Sequence, residues 1–166
     1  CTVDFYPYFS IGRSGAEPTA SMARTMRGYQ VILAINSFSL THTEARAAAS
    51  KAGARVATMR GAIPEMFYSD GPISVDYLKV EKETKFIAGF LTNASQARIV
   101  SDSGTNLAFS LKGREGRGDT GIYVKSGQWG NLPAGEAYIA PVEGTAEGSL
   151  VVEKGWFSNL KEDMTI

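Results

Sequence analysis

QVILAINSFSLTHTEARAAASKAGARVATMR, residues 30–60, decides the fold. Its first part, QVILAI (30–35), is a β-branched apolar run with the character of a strand buried on both faces. THTEARAAASKAG follows with a run of helix-favouring alanines. Thr43 stands where a side-chain oxygen can cap the first turn, and Gly53 where a helix ends in a left-handed residue. ARVATMR (54–60) then reads as a second strand. A strand, a helix and a strand in this order predict parallel pairing with the helix packed across the pair.

The flanking segments extend the alternation. CTVDFY (1–6) is strand-like, and EPTASMARTMRG (17–28) is helical, with Pro18 near its start where a missing N–H costs nothing. PEMFYSD (64–70) forms a short turn or helix. VDYLKVEKETKFIAGFLTNA (75–94) forms a longer amphipathic helix, with Val75, Leu78, Phe86, Phe90 and Leu91 on the apolar face. The expected fold is α/β: a Rossmann-like N-terminal part with a parallel sheet over residues 1–95, followed by a β-rich part over 96–166. IGRSG (11–15) follows the first strand but lacks the GxGxxG spacing, so a nicotinamide cofactor is not expected.

The shift at about residue 95 is compositional. Of the 18 glycines, ten (104, 113, 116, 118, 121, 127, 130, 135, 144 and 148) fall between residues 101 and 150. They separate the short β-rich runs QARIVSD, TNLAFSLK, TGIYVKS, EAYIAP and SLVVEKG, which predict antiparallel or mixed pairing.

Composition narrows the function classes. Hydrophobic residues make up 43% and charged residues 20%, the balance of a globular chain. Lys plus Arg and Asp plus Glu both number 17. With no basic excess or clustered patch, a nucleic-acid partner is not expected, and no apolar run reaches membrane-spanning length. Peptides or small molecules are the expected partners. Cys1 is the only cysteine, which excludes an intrachain disulfide and suits a cytoplasmic setting. The chain opens with Cys in a strand-like run, so residues are expected to precede position 1.

Few residues can carry chemistry. His42, the only histidine, lies in SLTHT between a strand end and a helix start, where open α/β sheets bind ligands. It reads either as a plain polar residue at a helix N-terminus or as a substrate-contacting imidazole or general acid/base. Glu136 opens the run EAYIAP after the loop GNLPAG and shares a strand face with Tyr138, so it can project into a cleft. Glu143 and Glu147 sit in the glycine-flanked EGTAEG and read as a solvated turn. GREGRGD (113–119) gathers Arg114, Arg117 and Asp119 but lacks the Lys-Ser/Thr ending of a phosphate loop, and a hairpin is the better reading. One carboxylate and one distant imidazole do not complete a metal site, which takes three or more protein ligands.

SLTHTEAR (39–46), GAEP (15–18), GTNLAFSLKGR (104–114) and above all GNLPAGEAYIAPVEGTAEG (130–148) together resemble the aminopeptidase T/aminopeptidase S family of metallopeptidases. Its wider superfamily includes leucyl aminopeptidases and the iron-dependent 2,5-dihydroxypyridine dioxygenases. The resemblance runs from about residue 15 to residue 153. It implies a metal-dependent aminopeptidase that removes N-terminal residues from peptides with two divalent ions (zinc, cobalt or manganese), and it suggests a homodimer. In the peptidase branch, the role of metal ligand carries over to Glu136. The other ligands belong to a region expected beyond Ile166, so the chain is expected to be a fragment lacking both ends and inactive alone. The dioxygenase branch is the alternative. It implies iron(II), with ligands again in that later region, and a histidine at the position of His42 that contacts the aromatic substrate. A non-catalytic module of the same fold is a third reading.

Overall fold

A computed structural model describes residues 2–8, 12–157 and 159–166. Cys1 and Ile11, from two of the stretches read above, lie outside the described residues. The chain divides into two compact units, one comprising residues up to Lys82 with Asp119–Gly135, the other Glu83–Gly118 with Glu136–Ile166. The fold is α/β: a parallel sheet with helices in the first unit, and antiparallel sheets in the second.

The first unit is built around 30–60. Strands β1 (Val31–Asn36) and β2 (Arg55–Arg60) pair in parallel, with Ile32 opposite Val56 and Ala34 opposite Thr58. Helices α1 (Ala20–Met26) and α2 (Glu44–Lys51) supply the core. Met26, Ala45, Ala49, Ala54 and Val56 are buried, with Met22, Ala23 and Ile32 packed against them. The alanines on the buried side of α2 let its backbone lie close to the sheet, and each fully buried side chain the size of Val56 is worth about 1.5–3 kcal/mol.

The ends of α2 follow from sequence. Thr43 Oγ1 accepts from the Arg46 N–H at 3.2 Å. At the other end Gly53 has φ 104°, and Ala54 N–H closes back on the Ala49 carbonyl at 3.0 Å. The first turn carries a second cap from far along the chain. The carboxylate of Glu17 accepts from the N–H groups of Glu44 at 2.6 Å and Ala45 at 3.1 Å. A helix N-terminus of this kind attracts anions, and here the chain supplies its own.

Three expectations change in this unit. CTVDFY forms no strand over its described residues 2–6. Instead Asp4 and Tyr6 bond Tyr29, whose hydroxyl donates to Asp4 Oδ2 at 2.6 Å. The third strand is β6 (Trp129–Asn131), parallel to β2 with Ala57 opposite Gly130 and Thr58 opposite Asn131. Strand β2 thus lies between two neighbours, while β1 stands at the edge. QVILAI is not buried on both faces: Val31, Leu33 and Ile35, on one face, are each about half exposed, alternating with partly buried Ile32, Ala34 and Asn36 on the other.

A single turn of 3-10 helix, Pro64–Phe67, precedes α3 (Tyr77–Asn93). The start of α3 belongs to the first unit, where Val80 packs against Gly135 and the Tyr77 ring closely approaches Gly121. The remainder belongs to the second unit and buries Thr84 and Ala88. Gly116 there comes so close to the Ala88 carbonyl that a Cβ would collide with it. Of the apolar-face residues, Leu91 is partly buried, whereas Leu78, Phe86 and Phe90 are 74%, 75% and 71% exposed. Small residues win the buried face because a loop backbone must pack directly on the helix.

In the second unit β3 (Gln96–Val100), β4 (Asn106–Ser110) and β8 (Glu147–Ser149) form an antiparallel sheet. Strands β9 (Val151–Val152) and β10 (Met164–Thr165) form a further antiparallel pair. The short β5 (Arg117–Asp119) and β7 (Glu136–Tyr138) complete the set. TGIYVKS holds no strand, and Glu147 lies in β8 rather than in a turn. Among the described residues no helix is long and apolar enough to cross a membrane.

Candidate functional site

At the carboxyl ends of the three parallel strands, polar side chains replace the aliphatic ones beneath them. Thr58 of β2 and Asn131 of β6 are register partners, and the loop after β1 brings Ser39, Thr41 and His42 to the same end. Thr58 and Thr41 are almost fully buried, and their hydroxyls meet at 2.7 Å. Asn131 Oδ1 accepts from Thr58 at 2.7 Å and lies 3.0 Å from Thr41 Oγ1, while Ser39 Oγ donates to Thr41 Oγ1 at 2.7 Å.

The network continues to Asp119, whose Oδ2 accepts from the Asn131 backbone N–H at 3.1 Å and stands 3.5 Å from its side-chain amide. The Tyr123 hydroxyl donates to Asp119 Oδ1 and is also 2.8 Å from the Asn131 carbonyl. Burial, and then Asp119, push the Tyr123 phenol above its ordinary range. This bond to a residue four positions upstream folds TGIYVKS into a turn. It also places the Tyr123 ring against Gly130, where any Cβ would overlap it.

Beside the network lies an aromatic and cationic cluster. Arg46 is buried, donates through Nε to the Thr41 carbonyl at 2.7 Å, and places its guanidinium 3.8 Å from the Trp129 ring centre. Burial lowers the Arg46 pKa from its ordinary value, an effect that Glu44 opposes. Guanidinium over indole is a favourable pairing where water is excluded. The exposed His42 ring meets Trp129 edge to face, with centres 6.3 Å apart. Nearby at the end of β1, Asn36 Nδ2 donates to the Tyr8 hydroxyl at 3.1 Å, while Asn36 Oδ1 is buried with no donor among the described residues.

The structure therefore gives His42 an aromatic and polar setting within the first unit. Glu136 belongs to the second unit, exposed at the first residue of β7. Its metal role was implied by the peptidase branch alone. Arg114, considered for phosphate, is paired with Glu143. The Glu143 carboxyl is held below its usual range by its own backbone N–H and then by Arg114. Among the described residues no group of three or more His, Cys, Asp or Glu side chains could hold a metal ion. The donor set among the described residues does not by itself fit one.

A parallel sheet ending in a rim of hydroxyls and amides beside an aromatic cluster is an α/β arrangement of the kind in which ligands bind at the carboxyl ends of the strands. The family model for 2,5-dihydroxypyridine 5,6-dioxygenase (NicX) matches residues 10–160, and the chain belongs to that family. Its fold is similar to the solved structure of 2,5-dihydroxypyridine dioxygenase from Pseudomonas putida KT2440, with a TM-score of 0.65 and 19% sequence identity. That similarity covers 88% of this chain and 42% of the other, so the chain spans well under half the length of that protein. No curated protein sequence matches it.

These findings overturn the aminopeptidase T/aminopeptidase S assignment. The hydrolase and leucyl aminopeptidase readings fall with it, and so does the basis for paired zinc, cobalt or manganese. The quoted motifs were assigned to the wrong branch of the superfamily. Family membership is consistent with a metal cofactor. The Asp119–Tyr123–Asn131–Thr58 network was missed. Its members are scattered along the chain and show no periodicity, and the one available signal was Asn131 and Asp119 lying within quoted motifs.

Proposed function

We propose that this chain is part of a ring-cleaving dioxygenase that opens a small dihydroxypyridine-type ring using iron(II), with His42 contacting the aromatic substrate. The observation that carries the reading is the family match over residues 10–160. The local chemistry supports it. A planar ring bearing hydroxyl groups suits an edge that offers an indole, an imidazole and a row of hydroxyl and amide groups. The substrate is thus a small molecule rather than a peptide, and the single cysteine favours a cytoplasmic setting.

The iron is not assigned to residues of this chain, because the described side chains do not assemble a ligand set. The chain's own contribution is to bind and orient the ring. The test is oxygen uptake by the protein in its natural length with iron(II) and 2,5-dihydroxypyridine, followed alongside loss of the ring's ultraviolet absorbance. An aminoacyl chromogenic substrate serves as the contrast. Oxygen uptake matched to ring loss is the expected result. Hydrolysis of the chromogenic substrate without oxygen uptake would refute the proposal.

A further inference from the structure

We infer that Thr41 is a positioning residue for the His42 imidazole, a reading that rests on the substrate-contacting role proposed for His42. Every polar group of Thr41 is held. Its N–H donates to Ser39 Oγ at 3.1 Å, and its carbonyl accepts from Arg46 Nε at 2.7 Å. Its hydroxyl oxygen has Ser39, Thr58 and Asn131 as partners at 2.7, 2.7 and 3.0 Å.

Counting protons gives the network a direction. Each hydroxyl has one proton to give, and the Asp119 carboxylate can only accept. Ser39 therefore donates to Thr41, Thr58 to Asn131 Oδ1, and the Asn131 N–H groups to Asp119, while the Thr41 proton goes to Thr58 or to Asn131 Oδ1. A chain of donors that ends on a fixed acceptor leaves Thr41 one orientation.

A second set of contacts closes on the same residue. Arg46, which holds the Thr41 carbonyl, also stacks on Trp129, and Trp129 in turn meets the His42 ring. The circuit from Thr41 through Arg46, Trp129 and His42 returns to Thr41 along the backbone. An exposed imidazole on a turn would otherwise sample several rotamers and lose that freedom when a ligand binds. Holding it in place beforehand removes this cost from binding.

His42 is the only histidine of the 166-residue chain, so its ring proton resonances are unambiguous by NMR. The neighbouring indole displaces them by its ring current, and Trp129→Leu gives their value without it. In Thr41→Val the displacement should collapse toward the Trp129→Leu value, while Thr41→Ser, which keeps the hydroxyl, should retain it. Should Thr41→Val not fold, Arg46→Gln opens the same circuit from its other side and should give the same collapse. Unchanged resonances in a folded Thr41→Val or Arg46→Gln protein would overturn the inference, as would Thr41→Ser behaving like the valine variant. In the protein of natural length with iron(II), KM for 2,5-dihydroxypyridine should rise about tenfold in Thr41→Val, with kcat changing less. A wild-type protein that shows the ring-current behaviour but no oxygen uptake refutes the dioxygenase proposal and leaves the positioning role standing.

Discussion

Replacing Thr58 with valine should weaken the first unit without opening a cavity. Valine matches threonine in shape, and Thr58 is 2% exposed, so the change exchanges a hydroxyl for a methyl in a closed site. The hydroxyl has two partners at 2.7 Å, Thr41 Oγ1 and Asn131 Oδ1, and a weaker one in the Gly130 carbonyl at 3.3 Å. Two good bonds at about 0.5–1.5 kcal/mol each set the loss. Burying a methyl in place of a hydroxyl returns roughly 1 kcal/mol. Asn131 Oδ1 is not orphaned, because Thr41 stays within 3.0 Å of it. The net expectation is a loss of about 0–2 kcal/mol, with about 1 kcal/mol at the centre of the range. With an m-value of about 2 kcal/mol/M, the urea midpoint followed by circular dichroism should fall by about 0.5 M. The double variant Thr41→Val/Thr58→Val should lose less than the sum of the single changes by about 0.5–1.5 kcal/mol, because the two hydroxyls share a bond. An unchanged midpoint, or strict additivity, would show that the hydroxyl network contributes nothing to the fold.

Three further outcomes are expected. Tyr123 has a raised phenol pKa in the folded protein, so its contribution is complete below the ordinary value near 10 and declines as pH rises above it; a denaturation series across that range should show a smaller alkaline loss in Tyr123→Phe. Glu17→Ala removes a carboxylate from two N–H groups at the start of α2 and should cost about 1 kcal/mol in a thermal melt, against no change if solvent caps the helix equally well. Gly116→Ala drives a methyl into the Ala88 carbonyl and should destabilise the second unit by about 1–3 kcal/mol, measurable by amide exchange along α3.

Local chemistry was legible in the sequence. Helix α2 begins and ends where Thr43 and Gly53 indicate, since both act through their nearest neighbours. The β1–α2–β2 order followed from patterns within its segments, and the runs after residue 95 were read as antiparallel or mixed strands, of which β3 and β4 pair antiparallel. Features set by distant partners were not legible. Strand β6 is the three residues Trp129–Asn131 among glycines, and only the exposed backbone of β2 makes a strand of them. The apolar stripe of α3 was legible, but the burial of Thr84 and Ala88 was not, because the approach of Gly116 leaves no sequence signature on the helix. At the site, the loop bearing His42 was found by its position after a strand. Arg46 and Trp129 were passed over, since a helix arginine and a lone tryptophan have ordinary uses until they are seen stacked. The branch of the superfamily was misread because the quoted motifs do not separate peptidase from dioxygenase, whereas a match over residues 10–160 does.

The late arrival of β6 makes folding of the first unit a long-range event. Thr58 and Asn131 lie 73 residues apart in sequence. Joining them closes a loop at an entropic cost of about 4 kcal/mol before any contact repays it. During synthesis β2 emerges long before its second neighbour, with one row of backbone N–H and C=O groups unpaired. Until Trp129–Asn131 docks, that edge is open to other chains. The same closure assembles the Thr41–Thr58–Asn131 network, so the site and the last strand of the sheet form in a single step. A nascent chain that stops short of residue 131 would carry His42 without the structure that orients it.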